Sequence, residues 1–352
     1  MPRLRLIAKG GVVAFSWRRP GGLIVLLAAV SACHAEPESP VASPSPIPAQ
    51  VSPTPSAPEP VQIEMKNVHL HVAAGVVLNV RHLRGEMVSK ASAQPPVFDD
   101  QRSFVIHIIA ADITMDMASL TNLMNQHAFA WEDAPVKDIE MSVDEGRLKQ
   151  KGKMHKGIWL PFSMKASVSA TADGRMRLHT ESVKALGIPA TKLLDLFDLT
   201  LDKLLTIEKG HGMEVKDDDV IISPGRVLPP PELQGRLSKV EIVGQQLHQV
   251  FSSAEARSVA VLTPPDPKAR NYVYFSGSSI RFGKLTMSGS DLQLIDADER
   301  DAFDFYPEKY NAQLVAGYSK NTPAKGLKTY MPDYNDLGKE TDLRPRRITG
   351  RR

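Results

Sequence analysis

Two histidines and a group of acidic residues have the types and spacing that could bind a metal ion. His69 and His71 are separated by one residue, so a β-strand would place both imidazoles on one face. No third ligand is identifiable, and such a pair is more typical of a polar sheet face. The acidic group comprises Asp296, Asp298, Glu299 and Asp301. A calcium loop would also need a glycine and a closing bidentate glutamate, so we favour a solvated turn. We predict neither a metal nor another cofactor.

The sequence carries none of the common catalytic signatures. It contains no Gly-x-Ser-x-Gly or Ser-x-x-Lys nucleophile motif, no His-Glu-x-x-His zinc motif, no phosphate-binding loop and no dinucleotide fingerprint. The only cysteine lies near the N-terminus, outside any segment with the pattern of a folded domain. Because no nucleophile and base can be paired, we predict that the protein is not an enzyme. An unrecognised hydrolase is the least favoured alternative.

The charge balance argues against nucleic-acid binding. The whole chain has 43 basic and 40 acidic residues, but five of the basic residues lie within the first 32. The remaining chain has a net charge of −2, and the segment 33–343 has a net charge of −7. Nucleic-acid-binding proteins normally present a basic face, which such a segment does not predict. The five arginines after residue 343 either contact an acidic surface such as anionic lipid or, as we favour, form a solvated end.

Cys33 lies at the end of an export leader. Five basic residues precede the apolar stretch Gly21–Ala32, which is shorter than the roughly 20 residues of a membrane-spanning helix and typical of a cleaved signal peptide. We therefore assign residues 1–32 to the leader. Val30–Cys33 resembles the bacterial lipobox, which implies that the Cys33 thiol is diacylated and that the cysteine becomes the first residue. The alternative is an ordinary signal peptide that is cut nearby and leaves a free thiol or none.

Two neighbouring features bear on the destination of the protein. Arg18-Arg19 would suit a twin-arginine signal, but the apolar pair that usually follows it is missing, so we disfavour that route. His34, rather than an aspartate, follows Cys33. By the sorting rule known for lipoproteins of two-membrane bacteria, this predicts attachment to the outer membrane, facing the periplasm. The membrane is thus the predicted partner of acylated Cys33.

A tether separates this anchor from the first predicted strand. Residues 34–60 contain nine prolines interspersed with serine, alanine and glutamate. Such a composition cannot bury enough apolar surface to fold and favours extended polyproline II. We therefore predict a disordered linker over residues 33–60. With a single cysteine and no possible internal disulfide, the domain beyond it must be stabilised by packing alone.

Residues 61–252 have the pattern of an antiparallel sheet with one or two helices. Apolar residues alternate along the segment 61–72 but change parity near Asn67, which predicts a bulge. The strand at 158–170 alternates over its whole length, between a Glu145-Gly146 turn upstream and an Asp173-Gly174 turn downstream. One apolar and one polar face are typical of an antiparallel sheet. The fold class predicted is α+β, with a long curved sheet.

Two helices and a C-terminal block complete the predicted order. Asp116 is a candidate N-cap for a helix over 116–129, and a leucine-rich helix is expected over 188–205. The Pro-Pro-Asp-Pro segment at 264–267 marks a break. We therefore predict a separate strand-rich extension over 253–319 and a polar, arginine-rich tail over 320–352.

Three stretches together resemble an exported bacterial family. They are VKDIEMSVDEGRLKQKG, LGIPATKLLDLFDLTLDKLL and GMEVKDDDVIISPGRVLPPPELQGRLSKVEIVGQQL. The family is the one that contains the mycobacterial lipomannan elongation factor and is related to the tubular lipid-binding proteins. The resemblance covers residues 136–250, and the segment after Ser252 has no counterpart. It implies a long curved sheet wrapped around a helix, with acyl chains held in the groove.

A lipid groove of this kind would be lined by the apolar face of the sheet and of the leucine-rich helix. The residues predicted to line it are Met141, Ile158, Leu160, Phe162, Met164, Met176, Leu193 and Phe197. Methionines on several strands suit an irregular acyl ligand because the thioether side chain is flexible. The alternative is that the same residues form a filled core. In that case we expect a non-enzymatic envelope scaffold that binds protein or cell-wall partners without a ligand.

Overall fold

A computed structural model of the chain describes residues 59–185, 201–204, 207, 211–253 and 261–339. The predicted leader, Cys33 and most of the predicted linker lie outside these residues. Leu193 and Phe197, two of the predicted ligand-lining residues, also lie outside them. None of the helices in the described part of the chain is long and apolar enough to cross a bilayer.

Strands dominate the described part of the chain. They are β1 (Val61–Ala73), β2 (Val76–Ser89), β3 (Phe104–Asp116), β4 (Val136–Asp144), β5 (Arg147–Lys156), β6 (Ile158–Ala170), β7 (Met176–Ala185), β8 (Met213–Lys216), β9 (Asp219–Ile222), β10 (Glu232–Gln234), β11 (Leu237–Val243), β12 (Gln246–Ser252), β13 (Tyr272–Gly277), β14 (Ile280–Phe282), β15 (Leu285–Met287), β16 (Ser290–Asp296), β17 (Phe303–Phe305), β18 (Tyr318–Asn321) and β19 (Leu327–Met331). The helices are α1 (Met117–Leu123), α2 (Leu201–Leu204), α3 (Pro224–Val227) and α4 (Tyr310–Ala316). A π-helical turn follows α1 at Met124–Ala128, and 3-10 turns lie at Pro307–Lys309 and Tyr334–Asp336.

The strands form two main sheets that share one apolar core. In the large sheet the order is β11-β12-β3-β2-β1-β13-β16-β19-β18, with β10 beside β3 and β17 beside β1. In the small sheet the order is β4-β5-β6-β7-β9-β8. Buried residues of both sheets and of α1 belong to a single hydrophobic cluster. The predicted α+β class, dominated by a curved sheet with few helices, is thereby confirmed.

The predicted change of parity in β1 is confirmed at Asn67, but the register of β1 against β2 is unbroken there and shifts only between His71 and Ala73. Ile63 and Met65 are buried before it, whereas Val68 and Leu70 are buried after it. Asn67 has a φ of 48°, in the left-handed region that asparagine tolerates better than most residues. The left-handed backbone at Asn67 accompanies the change of parity, so the apolar side chains of both halves of the strand lie in the core.

The two predicted hairpin turns in the small sheet are also confirmed. Glu145 and Gly146 have φ values of 55° and 72°, the signs that a tight hairpin turn between antiparallel strands requires. They join β4 to β5, with Asp144 opposite Arg147. Gly174, with a φ of 85°, lies in the loop that joins β6 to β7. These local turns make the small sheet a meander of neighbouring strands.

Helix α1 begins where the sequence predicts it. The Asp116 carboxylate accepts a hydrogen bond from the Ser119 N–H at 2.6 Å and so caps the first turn. Leu120 and Leu123 on its buried face contact the core. Of the second predicted helix, only Leu201–Leu204 lies within the described residues, where it is helical.

The C-terminal strands correct the predicted division of the chain at residue 252. Val61–Lys66 of β1 pairs with β13, and Val68–Leu70 of β1 pairs in parallel with β17. β19, with the fully buried Met331, lies within the segment predicted as a polar tail. The strands after residue 252 therefore complete the large sheet. The sequence predicted strands within 253–319 but not β19, and alternation defines the buried face of a strand and not its partner.

Candidate functional site

An apolar cavity lies between the two sheets and α1. Its cavity volume is about 70 Å³, and the surrounding empty space, including open solvent, is about 840 Å³. The side chains of the large sheet, the small sheet and α1 line it, and all but two of the lining residues are apolar or glycine. The lining residues are Leu78, Ile113, Met115, Leu120, Leu123, Met124, Met141, Leu148, Gln150, Met176, Leu178, Ile222, Pro224, Gly225, Val227, Leu228, Leu233, Gly235, Leu247, Gln249 and Phe251. We call this space the large lobe.

A second apolar space adjoins the first and shares residues with it. Its cavity volume is about 40 Å³, within about 550 Å³ of empty space that includes open solvent, and we call it the small lobe. The residues that line it are Met124, Phe129, Val136, Gln150, Met154, Phe162, Met164, Leu178, Val183, Leu201, Ile207, Met213, Val220 and Ile222. Met124, Gln150, Leu178 and Ile222 line both lobes. The two spaces are therefore neighbours that adjoin at these four side chains, and we refer to them together as the apolar region.

Four of the predicted ligand-lining residues line this region. Met141 on β4 and Met176 on β7 line the large lobe. Phe162 and Met164 on β6 line the small lobe. All four are buried, because each occupies the inward parity of its strand. The predicted apolar face of the small sheet is thus the face that borders the cavity.

Leu160 and Ile158 depart from the prediction. Leu160 is half-buried and packs against the core but lines neither lobe. Ile158 is 66% exposed, and the adjacent Trp159 is 38% exposed. Within the described residues, β7 pairs with β6 only from Phe162 onwards. The first residues of β6 therefore extend past this pairing, and their alternation does not bury them.

The sequence reasoning missed the other half of the lining. Met115 on β3, together with Leu247 and Phe251 on β12, lines the large lobe from the side of the large sheet. Alternation in the sequence shows which side chains of these strands point inward. It does not show which other sheet packs against that inward face. The one available signal is the recurrence of methionine at inward positions, as at Met124 and Met154, which also line the region.

The lining is uncharged but has two polar side chains. Gln150 on β5 and Gln249 on β12 are 9% and 6% exposed. Their side chains make no hydrogen bond to any other described residue. Among the described residues that line the two lobes, none is ionisable. The site can therefore exclude water from an apolar molecule, and it offers amide groups but no charge.

The histidine pair lies on the polar face of β1, where the sequence predicts it. His71 pairs through Nε2 with Asp304 and stacks on the Tyr306 ring, with centroids 5.4 Å apart. His69 lies in a polar surface depression that also contains Arg81. In the described residues the two histidines are not joined by a third metal ligand.

The acidic segment is only partly the solvated turn that was expected. The carboxylates of Asp296, Asp301 and Asp333 lie within 4.8 Å of one another. Asp296 is 2% exposed, and its carboxylate accepts hydrogen bonds from Asn271 Nδ2 at 3.0 Å and from the Asp298 N–H at 2.8 Å. Burial raises the pKa of Asp296 to about 7, although these two hydrogen bonds oppose the rise. Burial also raises the pKa of Asp333, to about 6.

Comparison of the chain with protein-family models, with curated proteins and with solved structures finds no match in any of the three. The resemblance to the lipomannan elongation factor family therefore stays a prediction from the sequence. The candidate site is defined by its own geometry and chemistry.

Proposed function

We propose that this protein is a cell-envelope lipoprotein that binds or shields a lipid, or another apolar ligand, between its two sheets. The single observation that carries the proposal is the continuous apolar lining of the two lobes. A concave space lined by apolar side chains is typical of a small-molecule site, because few polar groups remain to hold water there. The proposal includes a fold like that of the tubular lipid-binding proteins, in which a curved sheet holds the acyl chains.

The physical basis of binding is removal of acyl surface from water. Each methylene group buried in the cavity contributes about 0.8 kcal/mol. Met115, Met124, Met141 and Met176 line the large lobe, and their flexible thioether side chains can adapt to acyl chains of different shape. Because no ionisable residue faces the two lobes among those described, the buried part of the ligand must be uncharged.

The proposed location follows from the N-terminal segment. An acylated Cys33 would anchor the domain to the outer membrane on its periplasmic side. The proline-rich linker 33–60 would let the domain stand off by at most roughly 80 Å, at about 3.1 Å per residue. A lipid-binding domain held in this way reaches ligands in the same bilayer or in the facing one.

The proposal that the protein binds a ligand is tested with the full chain carrying the substitution Cys33→Ser. This substitution prevents the anchor's own acyl chains from entering the cavity. The protein is purified without detergent and analysed by native mass spectrometry, and its organic extract is analysed for lipids. We expect co-purifying lipid or, after delipidation, uptake of a fluorescent fatty acyl probe. Absence of both would refute the proposal and favour a scaffold that binds protein or cell-wall partners.

The anchor is tested separately by fractionation. The unaltered protein should sediment with outer membranes and incorporate labelled palmitate, whereas Cys33→Ser should be released into the soluble periplasm. Membrane association that persists in Cys33→Ser would contradict the lipoprotein assignment. It would leave the ligand proposal intact, since that proposal is tested by lipid binding to Cys33→Ser and does not depend on the anchor.

A further inference from the structure

The two glutamines of the cavity are in an unusual environment. Gln150 lies on the small sheet, where it faces Met141 and Met164 across its neighbouring strands. Gln249 lies on the large sheet, opposite Ile113 and Val240. Each is more than nine-tenths buried, lines the large lobe and is bonded to no other described side chain or backbone group. The fully enclosed polar side-chain atoms without a partner in the described residues are His127 Nε2 and Ser253 Oγ, so the unpaired amides of Gln150 and Gln249 border open space instead.

Strand parity explains why these amides face the cavity. On β5, Lys149 and Lys151 occupy the outward positions, which places Gln150 on the inward side together with Leu148. On β12, buried and half-buried residues alternate, and Gln249 belongs to the buried set. Both positions are otherwise suited to apolar side chains. The amides are thus presented to the cavity from two opposing walls.

We infer that Gln150 and Gln249 bind a neutral hydrogen-bonding group of the ligand, so that the site selects ester- or amide-linked acyl lipids over plain hydrocarbons. This inference rests on the proposed function. A primary amide has two N–H donors and one carbonyl acceptor, so it can pair with the carbonyl oxygen of an ester and with both partners of a secondary amide. Gln150 lines both lobes, where a chain passing between them would lie against it.

The same chemistry disfavours a free carboxylate at this position. An ionised group buried here would need a cation or several donors, and no described lining residue is ionisable. Two neutral amides suit a neutral carbonyl group better. A charged headgroup, where the lipid has one, would therefore lie at the mouth of the cavity rather than beside Gln150.

The inference is tested by competition with matched probes. Diphenylhexatriene, a fluorescent hydrocarbon without hydrogen-bonding groups, is loaded into the full chain carrying Cys33→Ser. Hexadecane, methyl palmitate and palmitate are then titrated as competitors. Gln150→Met and Gln249→Met keep the side-chain length and remove both the donors and the acceptor. Gln246→Met, on the same strand as Gln249 but outside both lobes, is the control.

We expect methyl palmitate to compete better than hexadecane and palmitate in the unsubstituted background. Each cavity substitution should weaken methyl palmitate about tenfold, as expected for one lost hydrogen bond. Hexadecane should compete equally well or better in those variants, and the control should change neither competitor. The inference would be overturned if the substitutions weakened binding of hexadecane and methyl palmitate equally, or if they did not weaken binding of methyl palmitate.

The outcomes separate this inference from the proposed function. If diphenylhexatriene does not load at all, the cavity takes no apolar ligand and both ideas fail. If it loads and hexadecane competes as well as methyl palmitate, the cavity binds lipid but the amides do not select it. Thermal unfolding of each variant checks that it is folded, and the Gln150,Gln249→Met double variant should unfold at a temperature no lower than the parent protein.

Discussion

Enlarging Leu178 should show whether the space between the sheets is open in solution. Leu178 lies on β7, is 6% exposed and lines both lobes, so its side chain marks the point where they meet. In Leu178→Phe the larger ring would enter this space. If the space is open, the added apolar atoms are buried there without displacing their neighbours. If the core is filled, they can only enter by forcing other side chains apart.

The expected change differs in sign between the two cases. Phenylalanine has three more side-chain carbons than leucine, and burial contributes about 0.8 kcal/mol per methylene-sized group, so an open cavity gives a stabilisation of at most about 2.4 kcal/mol. Inserting the same atoms into a filled core costs about 1–3 kcal/mol. The two outcomes are thus separated by a few kcal/mol, well beyond the precision of an unfolding experiment.

The assay is urea unfolding of the delipidated chain carrying Cys33→Ser. Leu83→Phe is the matched control, because Leu83 is 1% exposed on β2 and lines neither lobe. We expect Leu178→Phe to raise the free energy of unfolding and to reduce uptake of the acyl probe, while Leu83→Phe lowers the free energy of unfolding. Equal destabilisation by the two substitutions would refute the reasoning and identify the region as a packed core.

Three further substitutions test other parts of the fold. Because burial raises the pKa of Asp296 from 3.8 to about 7, the folded protein binds more protons than the unfolded one between these values, and stability falls as the pH rises. Asp296→Asn should remove this fall, so that its stability relative to the parent rises from pH 4 to 7 by at most about 1.4 kcal/mol per unit in urea unfolding. In Gly225→Ala the new Cβ would lie 1.5 Å from the Leu233 carbonyl oxygen, so we expect a loss of at least about 1–3 kcal/mol in the same assay. Asp116→Ala removes the carboxylate that caps the Ser119 N–H, so we expect its free energy of unfolding to fall by about 1 kcal/mol in thermal unfolding. Asp116→Ser, which keeps a capping oxygen, should recover most of this loss.

For each of these three substitutions, one result would contradict the expectation. A pH profile of Asp296→Asn parallel to that of the parent would mean that the Asp296 carboxyl is ionised at neutral pH in the folded state. If Gly225→Ala does not lower the free energy of unfolding, α3 and β10 move apart easily. Equal stability of the alanine and serine variants at 116 would mean that the cap contributes nothing to α1.

The parts of the fold that follow from neighbouring residues were predictable. The β4–β7 meander is defined by alternation and by turns at Gly146 and Gly174, where positive φ values favour glycine. The α1 start follows from Asp116, and the change of buried face in β1 follows from the change of parity at Asn67. In each case the decisive information lies within a few residues of the feature.

The parts that depend on distant residues were not predictable. Alternation indicates that β1 and β13 each have a buried face, but not that Val61 pairs with Gly277. Half of the cavity lining was missed for the same reason, since it lies on the sheet opposite the predicted face. The inward position of Gln150 was readable from the parity of β5, but its lack of a partner became visible only once the facing strand β12 was located.

The pairing of β1 with both early and late strands has a consequence for how the chain matures. Until residues 272–305 are available, one edge of β1 has exposed backbone groups with no strand to bond them. Contacts that join residues more than 200 positions apart also close slowly, because a long loop must be ordered first. A chain exported from its N-terminus would therefore cross the membrane almost entirely before its central strand is protected. If the chain is exported, this topology would leave that strand edge in need of protection during transit.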